Sequence, residues 1–373
     1  MRNQRNDARQ AGRRFLGTAG ALAVLSTFLM WTATPAAATV FSNTAAITIP
    51  SSGQGTPYPS TIAVPASGAV ADVNVTLTGF AHQIAYDVDV LLVGPTGKNV
   101  VLMADNGNAT AVTNQNLTFD DAATASLPAA GTAPIATGTY KPSNGGAFNG
   151  TAPAPAAPYG ATLSVFNGTD PSGNWNLFVF DDLGGATGSV AGGWSLDITL
   201  ASLSSFSPAS GKVGDPVVLT GVGFTGATTV KFGNTVASTF TVDSDTQITA
   251  TVPPGAGTGP IAVTTPTLGV LTGAADFIVN HVRNVSITLN GKKAKGDANV
   301  KDGFTKCGSN VPVKIQHLEK GKWKTVAGVL TKANGSYKAG GLDDKGKYRA
   351  VVKKVTLSSG DVCLRDISPI AKK

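Results

Sequence analysis

The sequence predicts an all-β protein of three β-sandwich modules in tandem, and three observations carry that expectation. Apolar and polar residues alternate in short runs rich in Val and Thr. Those runs are punctuated by 45 glycines and 21 prolines, a strand-and-turn composition. At 373 residues the chain is too long for one ordinary sandwich, so several separate cores are expected.

The first 38 residues read differently. Arg2, Arg5, Arg9, Arg13 and Arg14 precede an apolar run from about Phe15 to Trp31, which ends in the small-residue site Ala36-Ala37-Ala38. The reading is a signal peptide over residues 1–38 with cleavage after Ala38, and an extracellular or cell-envelope-associated location. Arg13-Arg14 is followed directly by Phe15-Leu16 without the spacer of a twin-arginine signal, so general secretion is favoured. The alternative, an uncleaved anchor, has against it the glycines and threonines of the apolar run. No later segment is apolar for long enough to cross a membrane, and the chain ends in Lys372-Lys373 without a hydrophobic tail.

Residues 39–200 make the first module. Val73-Asn-Val-Thr-Leu77, Tyr86-Asp-Val-Asp-Val-Leu91, Asn174-Trp-Asn-Leu-Phe-Val179 and Trp194-Ser-Leu-Asp-Ile198 alternate as half-buried strands do. Trp175 and Trp194 are large enough to anchor a two-sheet core. Between Ala122 and Gly160 the chain is rich in Ala, Pro, Gly and Thr and is read as a long surface excursion.

Four spaced blocks in this module resemble the P domain (P/Homo B domain), which follows the catalytic domain of subtilisin-like proprotein convertases and recurs in bacterial secreted proteins. They are Asp87-Val-Asp89-Val-Leu-Leu-Val-Gly-Pro-Thr-Gly97, then Phe166-Asn-Gly168 with Gly173-Asn-Trp175-Asn-Leu, then Asp181-Asp182, then Gly188-Ser-Val with Trp194-Ser-Leu196. The resemblance implies a jelly-roll-like sandwich and brings Asp87, Asp89 and Asp181 close in space. Thr169 departs from it, standing where the pattern carries a glutamate.

Residues 201–280 change motif to Phe206-Ser-Pro208-Ala-Ser-Gly211 with Gly214, Val217-Val-Leu-Thr-Gly221-Val-Gly223-Phe224 and Pro253-Pro254-Gly255. This stretch is similar to the IPT/TIG domain, an immunoglobulin-like module that serves as spacer or binder in bacterial surface proteins. Residues 281–373 turn lysine-rich, with Val311-Pro-Val-Lys-Ile-Gln-His317, Gly321-Lys-Trp323, Asn334-Gly-Ser-Tyr337 and Gly346-Lys-Tyr348-Arg. They resemble the small sandwich repeats of actinobacterial surface proteins and, distantly, carboxypeptidase regulatory domains. Asn334-Gly335 between alternating runs predicts a tight hairpin.

The only cysteines, Cys307 and Cys363, lie in the last quarter of a chain read as exported, and a disulfide between them is expected. The alternative is two buried free thiols.

The net charge of +7 hides a strong asymmetry. Residues 39–280 carry four lysines against fourteen aspartates, whereas residues 281–373 carry twenty Lys and Arg against seven acids. The basic module is expected to attract an anionic cell-wall polymer or glycan by summed potential. No nucleic-acid partner is expected, because no binding motif accompanies the charge.

Catalysis is not expected. The three histidines, His82, His281 and His317, are scattered over the modules, and no frame for a serine, histidine and aspartate triad is present. Gly221-Val-Gly223-Phe-Thr-Gly226 meets a bare dinucleotide pattern but lacks the helix and βαβ unit that the chemistry needs, so it reads as a turn. Two distant cysteines cannot build a zinc site.

Every acid of residues 39–280 is an aspartate, and hard cations take several oxygen ligands. A structural calcium ion is therefore the cofactor expectation, held by Asp87, Asp89, Asp105 and Asp181, with Asn106, Asp120, Asp121 and Asp182 also near strand ends. The alternative is that these aspartates serve turns and solubility.

The expected function is that of a secreted or envelope-associated, non-catalytic binding or structural protein. Two alternatives stand beside it. One is an accessory protein of subtilisin-like endopeptidases, partnered by an extracellular protease. The other is a carbohydrate-binding module using Tyr58, Tyr140 and Tyr159, which lie in Pro- and Gly-rich segments.

Overall fold

The computed structural model describes residues 38–144 and 146–373. The signal-peptide reading, residues 1–38, lies outside the described residues except for Ala38, the first of them. Among the described residues there is no α-helix, only strands and the three short 3-10 turns Ala85–Asp87, Leu163–Phe166 and Thr305–Cys307. The fold class is thus all-β, with immunoglobulin-like and other sandwich cores in succession along the chain.

The first core lies between two sheets. One runs in the order Thr39–Asn43, Trp194–Leu200, Val70–His82, Val112–Phe119, Gly138–Lys141 and Ala125–Ser126. The other runs Ser143–Asn144, Asn99–Ala104, Val88–Val93, Gly173–Asp181, with Gly53–Gln54 and Ser60–Val64 along its far edge. Trp175, Trp194, Phe80, Phe119 and Phe166 fill the space between them. Each indole N–H finds an acceptor, Trp175 on the Pro171 carbonyl and Trp194 on Ser60 Oγ, both at 2.9 Å, as a buried indole requires.

The strand Val88–Val93 is buried at all six positions. The reason is the segment after Ser143, which does not stay in solvent. Phe148 enters a second apolar layer with Leu91, Val93, Val101 and Phe178 on the outer face of the sheet, and Tyr58 and Tyr159 pack on it. Upstream, Leu127 and Ile135 join the main core. The expected surface excursion is therefore a cover: few anchors suffice because a sheet face is flat, and each aromatic residue covers a large area.

The second core packs the sheet Ser202–Ser207, Pro216–Val222, Gln247–Thr251, Phe240–Ser244 against Thr235–Val236, Thr229–Phe232, Gly259–Thr265, Gly269–His281. Val217, Leu219, Phe224, Phe232, Ile248 and Phe277 are fully buried between them. Phe277 meets Phe232 edge-on at 5.1 Å between ring centroids.

The third core is smaller. Lys293–Val300 pairs with Arg283–Val285, Thr288–Asn290 and Ser336–Ala339 in one sheet, and Pro312–Glu319 lies between Lys322–Leu330 and Lys347–Val352 in the other. The Asn334-Gly335 turn forms, with Gly335 at φ 80° and Ser336 N–H donating to Asn334 Oδ1. It does not close a hairpin ladder, because Lys322–Leu330 and Ser336–Ala339 belong to different sheets. A turn signal fixes the direction of the chain locally, but the strands' apolar faces choose their partners.

The second and third cores share backbone. Asn280 and His281, the end of the long strand Gly269–His281, pair in parallel with Val362 and Cys363. Cys363 is bonded to Cys307 across 56 residues of sequence, with Cα atoms 5.4 Å apart. Buried Arg283 donates to the carbonyls of Cys307, Lys353 and Leu364. The free-thiol alternative is excluded.

In the chain-entropy account a loop of this size stabilises the fold by about 4 kcal/mol. Replacing Cys307→Ser and Cys363→Ser together should lower the denaturant midpoint of the third sandwich by that equivalent while sparing the Trp fluorescence transition of the first. An unchanged midpoint would show that the joint closes the loop without the bond.

Candidate functional site

The acids cluster where the central strands of the first module end. Val88–Val93 and Gly173–Asp181 are antiparallel with Phe180 opposite Asp89 and Asp181 opposite Val88. Neighbours along a strand point to opposite faces. Asp89 therefore shares the outer face with Phe180, and Asp181 points inward with the core residues Val88 and Val179. Asp87 sits in the 3-10 turn Ala85–Asp87, just before the strand, so strand alternation does not align it with Asp89. Its carbonyl accepts the Asp182 N–H at 3.0 Å, which holds the two chain segments together at this end.

Asp87, Asp89 and Asp181 are buried to within 1 % of full exclusion from solvent. Among the described residues, both carboxylate oxygens of Asp87, Oδ1 of Asp89 and Oδ2 of Asp181 lack a hydrogen-bond donor. That is exceptional for buried polar atoms. Asp89 Oδ2 accepts the Asn149 N–H at 2.8 Å, and Asn149 Nδ2 donates to Asp182 Oδ2 at 2.8 Å, so the covering segment closes over the acids. Gly146 lies against Asp105 so closely that a Cβ there would fall on the carboxylate. On the inner face His82 Nε2 stands 3.1 Å from Asp181 Oδ2, but off the line a ring N–H would take. Its Nδ1 lies 2.7 Å from the Ile84 carbonyl and 3.3 Å from the Ile84 N–H.

The charges feel one another. Burial, then the neighbouring Asp181 charge, pushes Asp87 up to about 6. Burial pushes Asp89 up to about 7, with Asp182 and Asp105 adding to the rise. Asp181 and Asp105 are raised as well, burial being the main cause in both. Sheet parity sets Asp181 on the inner face, where it meets His82, and Asp89 on the outer face, where Asn149 bonds both Asp89 and Asp182.

The remaining candidates serve the backbone. Asn106 accepts the Ala104 N–H and donates to Pro128 and Ser143. Asp120 caps its own turn through Ala122, and Asp121 accepts the N–H groups of Leu163 and Ser164 at the start of a 3-10 turn. Here the turn reading of these aspartates holds. Thr169, which departs from the P-domain pattern, donates its hydroxyl to the Phe166 carbonyl at 2.6 Å.

The glycine-rich stretch at Gly221 is a turn in which Gly223 N–H, Thr225 N–H and the Thr225 hydroxyl all donate to Asp245. Although burial pushes Asp245 up, those donors outweigh it and hold the carboxyl below its usual range. The amides that a phosphate would need are already taken. Tyr58, Tyr140 and Tyr159 are half-buried, and their hydroxyls donate to the carbonyls of Thr151, Ala136 and Pro155. They are packing residues rather than an open platform.

A second cluster was not foreseen from sequence. At the joint, buried His281 contacts Asp302 through Nδ1 at 3.0 Å and Asp361 through Nε2 at 3.2 Å, and it stacks on Phe304 at 3.9 Å. Asp361 also accepts the Thr258 N–H from the second module. Burial pulls His281 down, but the two carboxylates more than offset it and hold the imidazolium above its usual value. The three residues are separated by 21 and 80 positions, so no spacing could have announced them.

Comparison with known families adds one assignment. Residues 201–278 form an IPT/TIG domain. No curated protein matches the chain. Among solved structures, a protein of unknown function from Bacteroides thetaiotaomicron VPI-5482 is 16 % identical over 42 % of this chain, with a TM-score of 0.21, and the chain spans only 44 % of its length. Murine CEACAM1b is 13 % identical over 46 % of this chain and 98 % of its own, with a TM-score of 0.25. SGBP-B of the Bacteroides ovatus mixed-linkage glucan utilization locus, solved with a heptasaccharide, is 12 % identical over 53 % of this chain and 54 % of its own, with a TM-score of 0.19.

The two clusters make stability depend on pH with a definite sign. Asp87 and Asp89 keep their protons to higher pH folded than unfolded, where an aspartate titrates near 3.9. The folded state therefore binds more protons between about pH 4 and 7, and stability falls across that window. His281 contributes fully below its unfolded value of about 6.5, and that contribution is lost as pH rises through its higher folded value. In a calcium-free buffer the melting temperature should fall between pH 5 and 8. Asp89→Asn should flatten the fall in the first module, and His281→Asn should remove the part that belongs to the joint. A flat wild-type profile by calorimetry would contradict both assignments.

Proposed function

We propose that the chain is an exported, non-catalytic binding and structural protein of the cell exterior, in which the basic third sandwich engages an anionic envelope polymer and the acidic first sandwich is displayed. The observation that carries this reading is an IPT/TIG domain set between modules of opposite charge. The disulfide supports export, since such bonds persist in oxidising compartments. The test is retention of the full chain on isolated cell walls at rising salt. Binding at low salt that fades as salt increases is expected, and no binding at low salt overturns the wall role.

A second reading, an accessory to an extracellular subtilisin-like protease, is favoured by the P-domain-like blocks of the first module. Val88-Asp89 and Gly173-Asn-Trp175 fall on neighbouring paired strands, and Gly188-Ser-Val pairs with Ile47–Ile49 and Val70–His82. A protease from the same source that is stabilised by the added chain would favour this reading.

The orphaned oxygens of the acid row suit a hard cation better than any other partner, because Ca²⁺ takes only oxygen ligands and tolerates irregular geometry. Asp87, Asp89 and Asp105 would have to draw together to hold it, since their oxygens do not lie within one coordination sphere, and Asp181 would lend charge from the inner face beside His82. Bound calcium would neutralise the mutual repulsion and fasten the covering segment to the sheet. Millimolar calcium should therefore raise the melting temperature of the first module by several degrees at pH 7.5 and by less at pH 5, where protons already occupy the acids. Asp89→Asn should abolish the response. No shift in the wild type would leave the acids to turns and solubility.

A further inference from the structure

The outer face of the smaller sheet in the third module carries an arrangement that a stability argument does not explain. Thr288–Asn290 and Lys293–Val300 are joined by the two-residue loop Gly291-Lys292, with Gly291 at φ 57°, as a tight hairpin with glycine at its first central position. The register sets Lys295 directly opposite Thr288 on one side and directly opposite Lys338 on the other. Lys293 is two residues along the same face, opposite Asn290. Lys293, Lys295 and Lys338 are exposed, while Ala294 and Ala339 point into the core.

Like charges directly opposite on a sheet destabilise it. An ordinary surface relieves them with acids, yet here the carboxylate at the cleft, Asp343, is taken by Lys292 at 2.8 Å, and Lys324 pairs with Glu319 on the other sheet. Among the described residues none of the three lysines has a carboxylate within pairing distance. Together with Asn290 and Lys292 they line a cleft of about 460 Å³.

The kind of cation narrows the partner. The side chains of Arg283 and Arg349 are engaged within the protein, on backbone carbonyls and on Gln316 beneath the Trp323 ring respectively. The cationic groups that line the cleft are all lysines. Arginine's planar fork is the recognition element for carboxylates, whereas lysine binds phosphate as a point charge. Cross-strand neighbours lie about 5 Å apart at Cα, and alternate residues on a strand about 7 Å apart. A flexible chain with one phosphate in each short repeat could meet these positions in succession.

We propose that Lys293, Lys295 and Lys338 form a binding site for a phosphodiester-linked polyanion. The site deepens the envelope-polymer reading above and rests on it for its biological setting. The tight hairpin fixes the spacing of the positive charges before the ligand arrives, and the ligand relieves the repulsion that the free protein tolerates.

The test uses the full chain with poly(glycerol phosphate), and polyglutamate of matched length as the carboxylate control. Wild type should bind the phosphate polymer more tightly than the control. Lys293→Gln, Lys295→Gln and Lys338→Gln together should weaken that binding at least tenfold and reduce the slope of log affinity against log salt by about 2, as three fewer neutralised phosphates imply. Lys314→Gln, Lys322→Gln and Lys347→Gln, exposed positions on the other sheet with the same loss of charge, should change it less than threefold. Equal losses in the two triple variants, an unchanged first variant, or equal binding of polyglutamate would overturn the site.

Lys338→Glu separates site from scaffold. It should raise the melting temperature of the third module by about 1–3 °C through an attractive cross-strand pair while weakening polymer binding. A variant that melts earlier, or binds as well as wild type, counts against the proposal. If wild type holds the purified polymer but not cell walls, the wall reading falls and the site stands; if the triple variant at Lys293, Lys295 and Lys338 holds walls as well as wild type, the site falls and the wall reading stands.

Discussion

A sheet covered on both faces has no solvent to offer the residues at the ends of its strands, and much of the first module follows from that constraint. Val88–Val93 and Gly173–Asp181 have the main core beneath them and the layer around Phe148 above. Double coverage makes the run Val-Asp-Val-Leu-Leu-Val nearly continuous in apolar character, as in strands with no wet face. It also takes Asp89, on the outer face, and Asp181, on the inner face, out of solvent with their apolar neighbours. A carboxylate drawn out of water must find donors, a cation or a proton, and the raised values of Asp87 and Asp89 express that need.

The third module answers the same geometry differently. Its smaller sheet has one face on the core and one in water, so alternation is clean: Ala294, Ala298, Tyr337 and Ala339 inward, lysines outward. Its core is modest, built largely of Ala, Val and two Tyr. Below about a hundred residues a sandwich gains from covalent and shared support. Here that support is the Cys307–Cys363 bond and the strand Gly269–His281, which belongs to the second module's sheet and continues into the joint.

The fold class was legible because period-two alternation and turn residues are local signals. The four strands read around Val73, Asp89, Trp175 and Trp194 all form, and the IPT/TIG motifs lie within residues 201–278 as matched. What escaped was set by contacts between distant residues. The cover over the outer face depends on Phe148 and Tyr159 in a stretch whose composition reads as loop. The Asn334-Gly335 turn was legible and its strand partners were not, since local chemistry fixes φ but packing fixes pairing. The acid row was named residue by residue, yet its division between the two faces needed the register of Phe180 with Asp89. His281 with Asp302 and Asp361 left no sequence trace, because a histidine among aspartates becomes a cluster only when three chain segments meet.

The two charged clusters place uncompensated like charge on opposite sides of the solvent boundary, and that position decides how each is relieved. Inside the first module the effective dielectric is low, so repulsion and desolvation together are strong enough to move the proton equilibrium itself. The acids can shed charge by protonation, which makes any cation that binds there compete with protons. The lysines of the third module face water, where the same separation costs far less, and their charge stays in place. Mobile counterions screen them loosely. A polyanion that displaces those ions gains their released entropy, so its affinity follows salt, while a cation in the acid row follows pH. The sign and burial of each cluster thus set not only what it attracts but which solution variable governs the attraction.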